Sequence, residues 1–399
     1  MDLPAVDAAL QAAIDGEQLA GASYTVFRRE EVLARQCLGW ADREARIPMR
    51  EDHLFRAFSN TKLVTSCAAL QLLEQGRLRL DDVVGQYIPA LKDLRVLRPG
   101  AVSMADAEPA REPVRVRHLL THTAGFTYGF TQPGAPISKA YSDAHVLDPG
   151  LDLAQMMQAL GSVPLLFEPG SAWNYSVATD VVGRLVEVVS GERLDDYFRQ
   201  HIFAPLGMHD TFFAVPPEKQ ARLAALYIGS IKEPLRPGLR RCDNLPYENA
   251  YLKSVPFLGG GGGLVTSLAD HTALVRALLR GGAPLLRRET MELVTRNQLP
   301  EGMWLQFPGQ PLQAGRGHSL AAAVVVHEVP AVSLVEGQVY WGGLAGTKWF
   351  FSPREDLAAV LMTQRYMGSD LPYWPDFLRA LREDLRSASG GKSNAAAGQ

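Results

Sequence analysis

Runs that read as β-strands cluster at the two ends of this 399-residue chain, not in its middle. Near the start, SYTVFRR and EEVLARQCLGWAD are two such runs with a charged turn between them, the pattern of a hairpin. Near the end, SLAAAVVVHE, QVYWGG, TKWFF and LAAVLMTQ read as four more, the last two joined through a turn-like break from Ser352 to Asp356. The stretch between is rich in Pro, Gly and irregular segments, with helical runs such as that from about Thr179 to Val189, closed by Gly191. The simplest arrangement is one antiparallel sheet built by both termini, with the middle inserted as a mostly helical unit. The expected fold class is therefore α+β, an α/β sandwich. Residues 1–80 and 255–386 would form the α/β domain, 81–254 the inserted helical domain, and 387–399 a low-complexity, disordered tail.

Composition narrows the function classes. With 47% hydrophobic and 21% charged residues, the chain has the make-up of a soluble globular protein. A net charge of −3, and no basic run interleaved with aromatics, argue against nucleic acid or an anionic membrane as partner. No apolar stretch reaches the roughly 18 residues needed to span a bilayer. The opening MDLPAVDAAL carries acids where a secretion signal has a basic start and an apolar core, so a cytoplasmic location is expected. Cys37, Cys67 and Cys242 are odd in number and far apart, which argues against both a disulfide framework and a metal knuckle. Cys67 falls on an apolar helix face and reads as a buried thiol.

Three short blocks carry chemistry. In LFRAFSNTKLVTSCAALQLLEQG, apolar residues at Leu63, Val64, Cys67, Leu70 and Leu73 mark a helix that Gly76 closes. Ser59 and Lys62, three residues apart, point the same way at its first turn. A hydroxyl needs a neighbouring base or cation to become a nucleophile, and the helix start adds a positive end. The spacing alone is weak, because Ser389-Gly-Gly-Lys392 in the tail matches it too. In EPGSAWNYSVATDVVGRLVEVVSG, Tyr175 precedes a helix that Ser176 can cap, where a phenol can face a cleft and serve as general base. A merely packed tyrosine is the plainer alternative. In QVYWGGLAGTKWFF, two glycines let a backbone or ligand come close, and the Leu344 N–H can face an oxyanion. A β-bulge would leave the same trace.

Other features read as structural. His118 and His122 are spaced i, i+4, but HLLTH lacks the Glu of a zinc-protease helix. The five glycines at 259–263 lack the Lys-Ser/Thr of a phosphate loop and read as flexible packing at a domain junction. No G-x-S-x-G elbow occurs. Phe126, Tyr128, Phe130 and Trp349 suit either an apolar pocket or a core.

Taken in order, the S-x-x-K, Y-S-x and W-G-G blocks resemble those of the serine β-lactamase/penicillin-binding-protein superfamily. The specific likeness is to the esterases related to class C β-lactamases, the family VIII carboxylesterases. LFRAFSNTK, LLTHTAGF, FEPGSAWNYS, GGGGGLVTS and GGLAGT all look like that family's recurring blocks, over about residues 5–385. The resemblance implies a β-lactamase/DD-peptidase-like fold and a serine hydrolase acting on a small-molecule ester, with no metal or cofactor. Its catalytic residues would be Ser59, Lys62 and Tyr175, with the N–H groups of Ser59 and Leu344 as oxyanion hole and Trp341 and Gly343 at the substrate. Val177 and Trp341-Gly-Gly stand where class C β-lactamases have the Asn of Tyr-x-Asn and Lys-Thr-Gly. That difference implies esters over β-lactams. The alternatives on such a scaffold are a β-lactamase, a D-amino peptidase, an acyltransferase or a non-catalytic binding protein.

Overall fold

The computed structural model describes residues 1–233, 235–369 and 371–396, excluding the side chains of 389–396. A first helix, α1 (Pro4–Asp15), leads into strands β1 (Gly21–Arg28), β2 (Glu31–Asp42) and the two-residue β3 (Ile47–Pro48). Helix α2 (Thr61–Glu74) follows, and much later come α3 (Ala178–Ser190) and α4 (Leu268–Leu279). The chain then returns to the sheet with β4 (Arg316–His318), β5 (Ala323–Val325), β6 (Val339–Gly342), β7 (Lys348–Ser352) and β8 (Leu357–Thr363), and ends in α5 (Tyr373–Ala396).

These eight strands form one antiparallel sheet in the order β4-β5-β6-β7-β8-β1-β2-β3. The junction between the two chain ends is the β1–β8 ladder, running from Ala22 opposite Thr363 to Phe27 opposite Ala358. Both strands are covered on both faces, which explains why β8 reads as an unbroken apolar run, LAAVLMT. Alternation then sorts its side chains. Leu357, Ala359 and Leu361 pack with Val6, Leu10, Phe377 and Leu381 of α1 and α5. Ala358, Val360 and Met362 join the larger core with α2 and α4. Helix α1 starts at a proline and has no local side-chain cap. Its exposed N–H groups are satisfied from the far end of the chain instead, where the Asp384 carboxylate accepts from Ala5 N and Val6 N at 3.1 Å.

The long segment between α2 and α3 carries short helices, Val116–Leu120, Pro136–Asp143 and Leu153–Gly161, among extended irregular stretches. The run SLAAAVVVHE yields only three residues of strand, and the expectation missed β4 beside it, a strand too short to show alternation. The expected tail at 387–399 falls partly outside the described residues, although the α5 backbone continues to Ala396. No helix among the described residues is long and apolar enough to cross a membrane.

Helix α2 runs through the centre of the molecule. Thr61 through Leu70 are all buried, polar residues included, so the helix has no solvent face. It ends at Gln75, followed by Gly76 at φ +69°. The short strand Leu54–Arg56 before it pairs antiparallel with Val265–Ser267, which draws the glycine run at 259–263 against the start of α2.

Candidate active site

Ser59 lies in a 3₁₀ turn, Phe58–Asn60, that runs directly into α2. Phe58 holds φ at +44°, a left-handed conformation that costs a bulky residue about 1–2 kcal/mol. It is held there by ring contacts to Tyr251 and Tyr366 and by the bond from Asn60 N to Ala57 O. The strained turn lifts the Ser59 side chain out of the helix into a cavity of about 570 Å³.

Two tyrosines reach the site from far along the chain, Tyr175 lying 116 residues after Ser59 and Tyr128 66 residues after Lys62. The Tyr175 hydroxyl donates to Ser59 Oγ at 2.6 Å. Lys62, only 4% exposed, donates from Nζ to the Tyr128 hydroxyl at 2.8 Å and to the Gly261 carbonyl at 2.6 Å. Its ammonium sits 4.7 Å from the centre of the Tyr175 ring. No direct bond joins Lys62 to Ser59 among the described residues; the two meet through Tyr175. The tyrosine sits three residues before the start of α3, and Ser176 Oγ accepts from Ala178 N at 3.3 Å, one position earlier than a regular cap.

Tyr128 and Asp180 are the residues that sequence reasoning missed. Burial, with Tyr175 and Asp180 beside it, pushes the Tyr128 phenol well above its ordinary pKa, so it stays a neutral acceptor for the lysine. Asp180 is wholly enclosed; burial raises its pKa while Lys62 and the Gly261 N–H pull it back. Its carboxylate accepts from Gly261 N at 2.8 Å, so one glycine binds Asp180 through its N–H and Lys62 through its carbonyl. The glycine run is thus tight packing, not the flexible junction expected from composition. A Cβ on Gly261 would come 2.6 Å from Asp180 Oδ2, and one on Gly260 would come 2.9 Å from the Thr179 carbonyl. The signal that could have found it is position: the run leads into the strand that pairs with the approach to Ser59.

Behind Tyr175 the site is aromatic and uncharged. The rings of His122, Tyr128 and Trp341 lie 5.0, 5.3 and 5.4 Å from its own. Burial drives His122 well below its ordinary pKa and His318 down to about 4, so both are neutral at pH 7. His118 accepts from Arg115 N through Nδ1 and closes a helix start. The pair thus serves structure, with His122 packed on the site.

Leu344 and Trp341 line the same cavity as Ser59 and Tyr175. Among the described residues, neither the Ser59 N–H nor the Leu344 N–H donates to a protein acceptor. Both remain able to hold an oxyanion. Gly343 is set back from the cavity: a Cβ there would meet Ala57 O at 2.3 Å, so only glycine lets the end of β6 close on the turn before Ser59. Val177 is fully buried and does not face the cavity. A cation not anticipated beside Trp341 comes from the next strand, where Lys348 lies across from Gly342 and donates to Ser369 O at 2.9 Å.

The sequence profile of the Beta-lactamase family matches residues 6–381. Esterase EstB of Burkholderia gladioli is 32% identical over 382 residues, covering 92% of each chain. Protein Rv1367c of Mycobacterium tuberculosis is 32% identical over 91% of this chain and 90% of its own. Among solved structures, EstCE1, described as a hydrolase with promiscuous acyltransferase activity, superposes with a TM-score of 0.80 at 28% identity, covering 94% of this chain and 97% of that one.

Proposed function

The chain belongs to the beta-lactamase family, and from that premise we propose that this serine hydrolase is a carboxylesterase cleaving short-chain or aryl esters through an acyl-enzyme on Ser59. The observation that carries the reading is the 2.6 Å bond between the Tyr175 hydroxyl and Ser59 Oγ, with the Lys62 ammonium over the same ring. The likeness to an esterase supports the choice of ester.

In the proposed cycle Tyr175 first gives its hydroxyl proton to solvent, which reverses the bond to Ser59, and Ser59 Oγ then attacks the ester carbonyl while the Tyr175 phenolate takes its proton. The Lys62 ammonium, 4.7 Å from the centre of the Tyr175 ring, balances the negative charge that moves between them. The oxyanion rests on the N–H groups of Ser59 and Leu344, donors of a kind worth about 10²–10³ in rate each. As the tetrahedral intermediate collapses, the C–O bond to the alcohol breaks and Tyr175 returns the proton to the leaving oxygen. Water then gives Tyr175 a proton and attacks the acyl carbonyl, and Ser59 leaves with that proton restored. Tyr128, Asp180 and Gly261 fix the position of Lys62 and take no part in the bond changes.

A second reading, transfer of the acyl group to an alcohol, is favoured by the cavity's size, which leaves room for an acceptor beside a small acyl chain. EstCE1 is described with both activities. The test of the main reading is labelling with a fluorophosphonate, followed by peptide mapping. Ser59 should carry the label, and Ser59→Ala should lose ester turnover; a label elsewhere, with Ser59→Ala fully active, overturns it. Product analysis in added alcohol separates hydrolysis from transfer.

A further inference from the structure

The cavity that holds Ser59 extends well past the reacting atoms, along the sheet toward β4 and the start of α5, and Arg316 of β4 lines its far part. The guanidinium is half-buried, with the Tyr340 phenol of the same cavity beside it. Its Nη1 donates to the Gln313 side-chain oxygen at 3.0 Å, and among the described residues no carboxylate pairs with it or lines this cavity. Some sheltered arginines of this chain meet acids, as in Arg222–Asp210 and Arg382–Glu355, whereas Arg276 lies over the Phe27 ring and Arg365 bonds to the Tyr366 carbonyl; Arg316 differs from all four in lining the cavity that holds Ser59. The walls between Ser59 and Arg316 are apolar, with Leu305, Phe307 and Trp341 among them.

Resting on the esterase reading, we propose that the substrate is an ester carrying a carboxylate at a distance from the scissile carbonyl, with Arg316 as the residue that binds it. The sheet sets the distance. β4 lies two strands from β6, and the ladders place Arg316 opposite Val325, whose N–H bonds to Gln338, three residues before Trp341. Two strand spacings across and three residues along put Arg316 roughly 14 Å from Trp341 between Cα atoms. An extended apolar linker spans that gap. The carboxylate of a β-lactam, fixed within two bonds of its ring nitrogen, does not.

The probe series is the p-nitrophenyl hemiesters of linear diacids from succinate to sebacate, each beside the same chain ending in a carboxamide. For the longer members, kcat/KM should favour the carboxylate by about tenfold, the worth of one charge-assisted bond, and rising salt should erode the ratio. Arg316→Gln should bring the ratio close to one. A wild-type enzyme that prefers the carboxamide at every length overturns the proposal without any variant. So does a ratio that survives Arg316→Gln but falls in Lys348→Gln, which would seat the anion on the wrong strand. Turnover of the carboxamide series with no charge preference leaves the esterase reading standing and removes only this inference; no turnover of either series removes the esterase reading itself.

Discussion

Replacing Gly261 by alanine tests how Lys62 is held. The added Cβ would sit 2.6 Å from Asp180 Oδ2, about 0.8 Å short of the 3.4 Å at which ordinary contact begins. Asp180 is enclosed on all sides and bonded to the same glycine, so it cannot swing away. The strain falls on the peptide whose carbonyl accepts from Lys62 at 2.6 Å. Overpacking of this kind costs about 1–3 kcal/mol of stability, and a displacement near 1 Å in a catalytic group costs about 10²-fold in rate. Gly262 is the control: a Cβ there meets nothing closer than 3.8 Å. The assay is kcat/KM on an aryl acetate for both variants, with urea unfolding to track stability. Gly261→Ala should fall about a hundredfold and Gly262→Ala should stay within a few fold of the parent. Equal activity in the two would refute the idea that this glycine positions the lysine.

Lys62→Met and Tyr175→Phe should each lower kcat by about 10²-fold or more, and the double variant should lose little beyond the worse single one; near-normal kcat in folded Tyr175→Phe would remove it from the mechanism. A short-chain aryl ester should exceed a cephalosporin in kcat/KM by about two orders of magnitude, roughly 2.7 kcal/mol, because Trp341 offers the lactam carboxylate no charge and Lys348 is tied to Ser369. Comparable constants on one preparation would show that reasoning to be wrong. His271 is wholly buried with Nε2 unpartnered among the described residues, and burial pushes it down to about 3 from 6.5. The unfolded chain therefore takes up a proton that the native state refuses, so stability is whole above pH 6.5 and falls as pH drops toward 3, by up to about 1.4 kcal/mol per unit. Urea titrations at about pH 6.5 and 4 should show a shallower loss in His271→Leu, and an unchanged slope would count against it.

What the sequence revealed of the site follows from range along the chain. Ser59 and Lys62 are legible because three residues on one helical turn fix their relation, and Tyr175 because its block recurs in a known order. Tyr128 was visible only as one aromatic among several, since its role depends on a lysine 66 residues earlier. Asp180 stands in the first turn of α3, a common place for an acid, and only the fold brings Gly261 onto it from 81 residues away. Lys348 and Arg316 were hidden for a similar reason: strand order decides which cavity a side chain enters. The shared sheet was readable because β1 and β8 are apolar nearly throughout, whereas three-residue strands such as β4 leave no periodic trace.

The ladder between β1 and β8 also sets when the molecule can assemble. Val26 faces Ala359, more than three hundred residues later, so the first strand emerges from synthesis long before its neighbour exists. Its other neighbour, β2, can form a hairpin with it at once, but a lone hairpin is marginal in water. Closing so long a loop costs entropy before any contact rewards it, which makes folding slow and leaves an apolar strand edge open in the meantime. A chain interrupted before Leu357 should therefore be a target for chaperones and proteases, however complete the cluster around Ser59 already is.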